Sequence, residues 1–141
     1  MIQYMADSVE MPAIEKQIIN RWIKNISADF QRKTGEISYI FCNDQKILEV
    51  NNQYLSHDYY TDIITFDYGK NDIISGDIFI SIDTVKANAA EFGVSFGEEL
   101  NRIIIHGILH LCGQSDHTPE LRKSMTTKEN VALEKLRNIT K

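Results

Sequence analysis

Between Ser95 and Gly113 the chain reads SFGEELNRIIIHGILHLCG, and this stretch limits the fold more than any other. Leu100, Ile103, Ile104, Ile105, Ile108, Leu109 and Leu111 cover nearly every side of a helix. A helix that is apolar all round needs neighbours all round, so the stretch predicts a buried central helix. Ser95-Phe96-Gly97-Glu98 has the form of a capping box that opens it, and Gly113 stops it. Into this apolar surface the sequence sets His106 and His110, four residues apart and therefore on one face.

The remaining chain supplies what must surround such a helix. Residues 2–5 predict a short strand. Pro12 suits the first turn of a helix over 12–32, with Ile14, Ile18, Ile19, Trp22, Ile23 and Ile26 at spacings of three and four and Gly35 beyond its end. Residues 36–42 predict a second strand, and strand, helix, strand is the pattern of a parallel crossover. Asn43 caps a helix over 44–55, a polar loop follows at 56–60, and 61–68 and 76–82 predict two strands joined closely enough to lie antiparallel. Asp83 is expected to cap a third helix ending at Gly93, and Thr118-Pro119-Glu120 opens a charged last helix. The expected architecture is α+β: a small mixed four-stranded sheet covered by about five helices, in a single domain over 1–141.

Bulk properties narrow the setting. At 141 residues the chain can build one real hydrophobic core, and 43% apolar with 25% charged residues is ordinary for a globular domain. No apolar run approaches the roughly 20 residues that span a bilayer. The start, MIQYMADSVEM, is acidic where a secretory signal is basic, and Cys42 and Cys112 form no disulfide framework, so a cytoplasmic protein is expected. The net charge of −5 argues against nonspecific coating of nucleic acid, which needs a basic footprint.

The chemistry concentrates in His106-Gly-Ile-Leu-His110-Leu-Cys-Gly-Gln-Ser-Asp116-His117, which holds three of the four histidines. An isolated histidine pair is more often a pair of core residues satisfied by backbone. Here the pair lies in the most apolar helix, where an unpaired imidazole is costly to bury, and a glycine stop with two more ligand-type residues follows. His106 and His110 are therefore the expected metal pair. Asp116, at +6 from His110, and His117, at +7, are both candidates for the third ligand once the helix stops at Gly113; both could bind, or one could orient a ligating histidine. Three protein ligands leave a position open for water, the arrangement of a catalytic site. Zincin metalloproteases share such a histidine helix, as H-E-x-x-H with glutamate as base; Gly107 stands in that place and can do no proton chemistry, so a peptidase is disfavoured. Its missing side chain is expected to let another backbone pack closely. Cys112 reads as a buried structural thiol.

The segment HGILHLCG-x-x-D resembles the signature of the YbeY family of metal-dependent endoribonucleases. The resemblance extends through Tyr54, the run Thr61-Asp62-Ile63-Ile64-Thr65-Phe66, Gly76-Asp77-Ile78 with Ile80, the Ala89–Gly93 helix end, Glu99-Leu100, and Met125 with Glu129, covering roughly 43–135. It implies a zincin-like sheet under helices and one zinc-like ion on three ligands. It also implies cleavage of single-stranded RNA in small-subunit rRNA 3′-end processing and ribosome quality control, with the ribosome or its assembly factors as partners. The sequence departs from the family pattern in two places. The family's third histidine falls six residues after the second, where this chain has Asp116, with His117 one later; either Asp116 replaces the histidine or an insertion lets His117 reach in, and a turn whose register Gly113 fixes favours Asp116. Members commonly carry an arginine after the tyrosine matching Tyr54, where this chain has Leu55; a leucine cannot hold a phosphate as an arginine does.

The expected chemistry is metal-assisted phosphodiester hydrolysis, with Arg102, Arg122, Lys123 and Lys128 as candidate phosphate contacts and His57 as a weaker substitute for the missing arginine. Two alternatives stand beside it: a metal-dependent hydrolase of a non-RNA substrate, and a non-catalytic ribosome assembly factor whose structural metal uses both Asp116 and His117.

Overall fold

The computed structural model describes residues 1–55 and 62–140; the side chains of Tyr54 and Leu55 lie outside that description. The expected loop at 56–60, His57, and the contrast of Leu55 with the family arginine therefore fall outside the described residues. The element order is β1 Ile2–Ala6, α1 Lys16–Asp29, β2 Lys33–Cys42, α2 Asp44–Leu55, β3 Ile63–Asp67, β4 Ile73–Ser81, α3 Ile82–Phe92, α4 Phe96–Leu111 and α5 Pro119–Thr140. The four strands form one mixed sheet in the order β1-β2-β4-β3. β1 and β4 flank β2 in parallel, and β3 pairs antiparallel with β4.

Alternation along the strands divides the apolar residues between two faces. On one face Ile37, Tyr39, Phe41, Ile74, Ile78 and Ile80 join Trp22 and Ile23 of α1, Val85 of α3, the apolar residues of α4, and Leu133 and Leu136 of α5 in the main core. On the other, Cys42, Ile47, Val50 and Ile64 form a smaller cluster with Phe66 and Phe79, which covers the sheet with α2. Helix α4 lies in the larger core, and Ile104, Ile105 and Ile108 are fully enclosed. Two buried polar contacts fix the layers. Tyr39 Oη donates to the Ile104 carbonyl at 2.9 Å, and Trp22 Nε1 donates to the Ala132 carbonyl at 2.7 Å.

Several boundaries differ from the sequence expectation, each for a local reason. α1 begins at Lys16 rather than at Pro12, and it ends at Asp29 because Gln31 takes a left-handed conformation (φ 57°). The amides of Gln31 and Arg32 turn back onto Ala28 and Ser27, and β2 starts at Lys33, so Gly35 lies within the strand. β4 begins at Ile73, three residues early, because Lys33 and Thr34 offer Ile73 and Ile74 a parallel partner. Ser81, not Asp83, caps α3 by accepting the Thr84 amide. Asp83 instead accepts the Asp44 amide at the start of α2, where Asn43 caps Lys46 as expected.

Candidate metal centre

The centre is built from one helix end, one turn and one neighbouring helix. Ser95 Oγ accepts the Glu98 amide at 3.1 Å and starts α4. The helix then runs across the sheet with Gly107 against it. A β-carbon at Gly107 would lie 3.0 Å from Ile78 Cδ1 and 3.2 Å from Ile63 Cδ1. The glycine thus admits two side chains of the sheet, not the backbone expected from sequence. Gly113 ends the helix at φ 99°, a conformation open to glycine, and the Gly113 and Gln114 amides bond back to the His110 and Leu109 carbonyls. Residues 114–118 then fold back over the last turn of α4. Lys128 of α5 holds the Gln114 side chain there, and Thr118 Oγ1 caps α5 by accepting the Leu121 amide.

This turn brings Asp116 to the two histidines. Asp116 Oδ2 lies 3.5 Å from His106 Nε2 and 3.5 Å from His110 Nε2. The ligand atoms of the three residues all lie within 4.8 Å of one another. Donors placed about 2.0–2.1 Å from one tetrahedral ion are separated by roughly 3.4 Å, so His106, His110 and Asp116 are spaced as ligands of a single ion. His117 is exposed and outside this group, with its amide donating to Ser115 Oγ at 3.3 Å.

The far sides of both rings are fixed as well. His106 Nδ1 lies 2.5 Å from Glu129 Oε2, and His110 Nδ1 lies 2.9 Å from the Gln114 carbonyl. Each Nδ1 faces an oxygen acceptor, which selects the tautomer that carries its proton there and aims the Nε2 lone pair at the common point. Glu129 is only 7% exposed and also pairs with Arg102 Nη1 at 2.9 Å. Burial opposes protonation of His106, but the hydrogen bond and charge of Glu129, with Asp62 and Asp116, outweigh it and raise its pKa. His110 is shifted down, first by burial and then by His106, against the pull of Asp116.

Glu129 is the one participant that reading residues for chemistry overlooked. It had appeared only as part of the family resemblance. A local signal exists: it sits four residues after Met125 and three before Ala132, on the face of α5 that is otherwise apolar and buried. Of the candidate phosphate contacts, Arg102 is committed to Glu129 and Asn130, and Lys128 to Gln114 and the Phe30 ring. Arg122 and Lys123 stand exposed on α5. Burial pushes the thiol of Cys112 up to about 11 and that of Cys42 up to about 12, as expected of inert structural cysteines.

A family model described as Endoribonuclease YbeY matches residues 2–137. The chain belongs to that family. It is 56% identical over 132 residues to a Bacteroides thetaiotaomicron protein named Endoribonuclease YbeY, covering 94% of this chain and 96% of that one. A Parabacteroides distasonis protein of the same name is 58% identical over 132 residues, covering 94% and 93%. A solution structure of a Thermotoga maritima protein shares the fold, with a TM-score of 0.63 at 24% identity over 98% of this chain and 93% of that one. Among the described residues, no helix is long and apolar enough to cross a membrane.

Proposed function

We propose that this chain is a metal-dependent endoribonuclease that cleaves single-stranded RNA during ribosomal RNA maturation in the cytoplasm, with His106, His110 and Asp116 holding a zinc ion. The observation that carries the reading is the spacing of the three donors, 3.5 Å from the Asp116 carboxylate to each imidazole, with both Nδ1 atoms already engaged. With His117 outside the group, the three donors found among the described residues leave a coordination position open, the pattern of catalytic rather than structural sites. Family membership supports RNA as the substrate, and small-subunit rRNA 3′ ends, with ribosome quality control, are the proposed setting.

When bound, the ion supplies Lewis acidity toward a phosphate oxygen and lowers the pKa of a water. Its positive charge also answers the objection raised by a net charge of −5, because the local field at the site is then set by the ion. The protein's residues do the rest. His106 and His110 offer Nε2 lone pairs, which the acceptors at their Nδ1 atoms aim at a common point. Glu129 stabilises the positive charge that develops on His106. His117, beside Asp116 in sequence, takes the proton from the attacking water as the new P–O bond forms; the P–O bond to the leaving ribose oxygen breaks, and that oxygen is protonated to a hydroxyl by His117 or solvent. Arg122 and Lys123 draw in the flanking phosphates. Gly107 leaves no carboxylate in the place of a peptidase base, and this disfavours the non-RNA peptide alternative.

Incubating the metal-loaded protein with single-stranded RNA tests the reading. Internal cleavage that stops when a chelator is added supports it, and intact RNA under every divalent metal tried would turn the reading toward an assembly factor.

A further inference from the structure

Next to the histidine–aspartate group, α3, α4 and α5 border a half-open cavity of about 350 Å³ whose lining includes Phe92, Val94, Glu99, Arg102, Thr126 and Glu129. Two of its walls belong to the metal centre. Glu129 turns one oxygen to His106 and the other to Arg102, so a single carboxylate separates the cavity from the reacting group.

Glu99 is the informative residue. It is 3% exposed, yet its carboxylate forms no hydrogen bond among the described residues. Every fully enclosed side-chain polar atom there has a partner, so the Glu99 oxygens open onto the cavity. Burial raises its pKa, the Arg102 guanidinium opposes this, and the charges of Asp62, Glu129 and Glu98 add to the rise. A buried acceptor in this state gains from a ligand that brings its own N–H donors. At the same cavity Phe92, the last residue of α3, leaves 61% of its surface in solvent, so its ring face is accessible for a planar group to stack on. The carboxylates of Glu98, Glu99 and Glu129 repel a phosphate from this cavity but not a neutral, donor-bearing ring.

We propose that the cavity is a nucleobase subsite, in which Phe92 stacks on one base of the bound RNA strand and Glu99 accepts from its exocyclic amino group. The proposal rests on the endoribonuclease reading and adds a preference to it. Adenine, cytosine and guanine carry such an amino group, and uracil does not. Stacking on an aromatic side chain tolerates any base, so Phe92 supplies affinity and Glu99 supplies discrimination.

The test measures binding of labelled single-stranded octamers of A, C and U to the metal-free full chain by fluorescence anisotropy. Oligo(A) and oligo(C) are expected to bind roughly tenfold more tightly than oligo(U). Glu99→Leu should erase that difference. Phe92→Ala, at an exposed position that does not threaten the fold, should weaken all three by roughly tenfold. Equal binding of the three octamers, no binding at all, or indifference to Phe92→Ala would overturn the subsite. Cleavage is assayed separately with the metal-loaded protein. RNA cut by a protein that fails the binding test defeats the subsite alone, and RNA left intact defeats the nuclease reading beneath it.

Discussion

His106 Nδ1 and Glu129 Oε2 stand 2.5 Å apart, joining α4 to the last helix across 23 residues of sequence. The contact sets the imidazole tautomer, orients the ring and raises its basicity. Glu129→Gln keeps the volume and an oxygen acceptor but removes the charge. Metal affinity is expected to fall roughly 10- to 100-fold, the usual cost of losing such a partner, with the fold retained. Competition against a chromophoric chelator measures it, and unchanged affinity would make the contact purely structural.

In the metal-free protein the two histidines should titrate in a fixed order. His106 keeps its proton to a higher pH than an ordinary histidine, and His110 loses its proton at a lower one. Because the folded pKa of His106 is raised, its contribution to stability is complete below the ordinary value of 6.5 and is lost as pH rises through the folded pKa. His110 acts in the opposite sense: its contribution is present above 6.5 and is lost as pH falls through its lowered folded pKa. Ring chemical shifts followed by NMR give the order directly, and protonation of His110 first would contradict it.

Gly107→Ala tests how closely α4 lies on the sheet. The added methyl would meet Ile78 and Ile63 at 3.0–3.2 Å. Overpacking of this kind costs about 1–3 kcal/mol, and the gain in helix propensity offsets up to about 1 kcal/mol. A net loss of about 1 kcal/mol is expected in urea unfolding. An equally stable variant would mean that the sheet yields without strain.

Asp116→Ala and His117→Ala, made separately, should differ sharply. The first removes the carboxylate 3.5 Å from both imidazoles and should reduce metal affinity at least tenfold. The second should leave metal affinity nearly unchanged while lowering the rate of RNA cleavage. Equal small losses of affinity would show that neither residue is a ligand.

How much of this was legible in the sequence depended on the distance over which each feature is determined. The central helix, its cap at Ser95, its stop at Gly113 and the shared face of His106 and His110 are local, and the chain spells them out. The mixed sheet followed from strand patterning and short connections. The start of β4 was not legible, because Ile73 and Ile74 are strand only where Lys33 and Thr34 lie beside them. The cap of α3 is not decided locally, because Ser81 and Asp83 are both good caps and Asp83 is drawn instead to the start of α2. Glu129 required knowing that α5 crosses α4. A carboxylate in a helix as charged as α5 has no local mark beyond its place on the buried face.

Anomalous diffraction from crystals of the metal-loaded protein, collected at the edge of the bound metal, tests the central claim most directly. The account predicts one peak about 2 Å from His106 Nε2, His110 Nε2 and an Asp116 oxygen, with a solvent molecule completing the shell. A peak bound by four protein ligands including His117, or one away from this group, would contradict it.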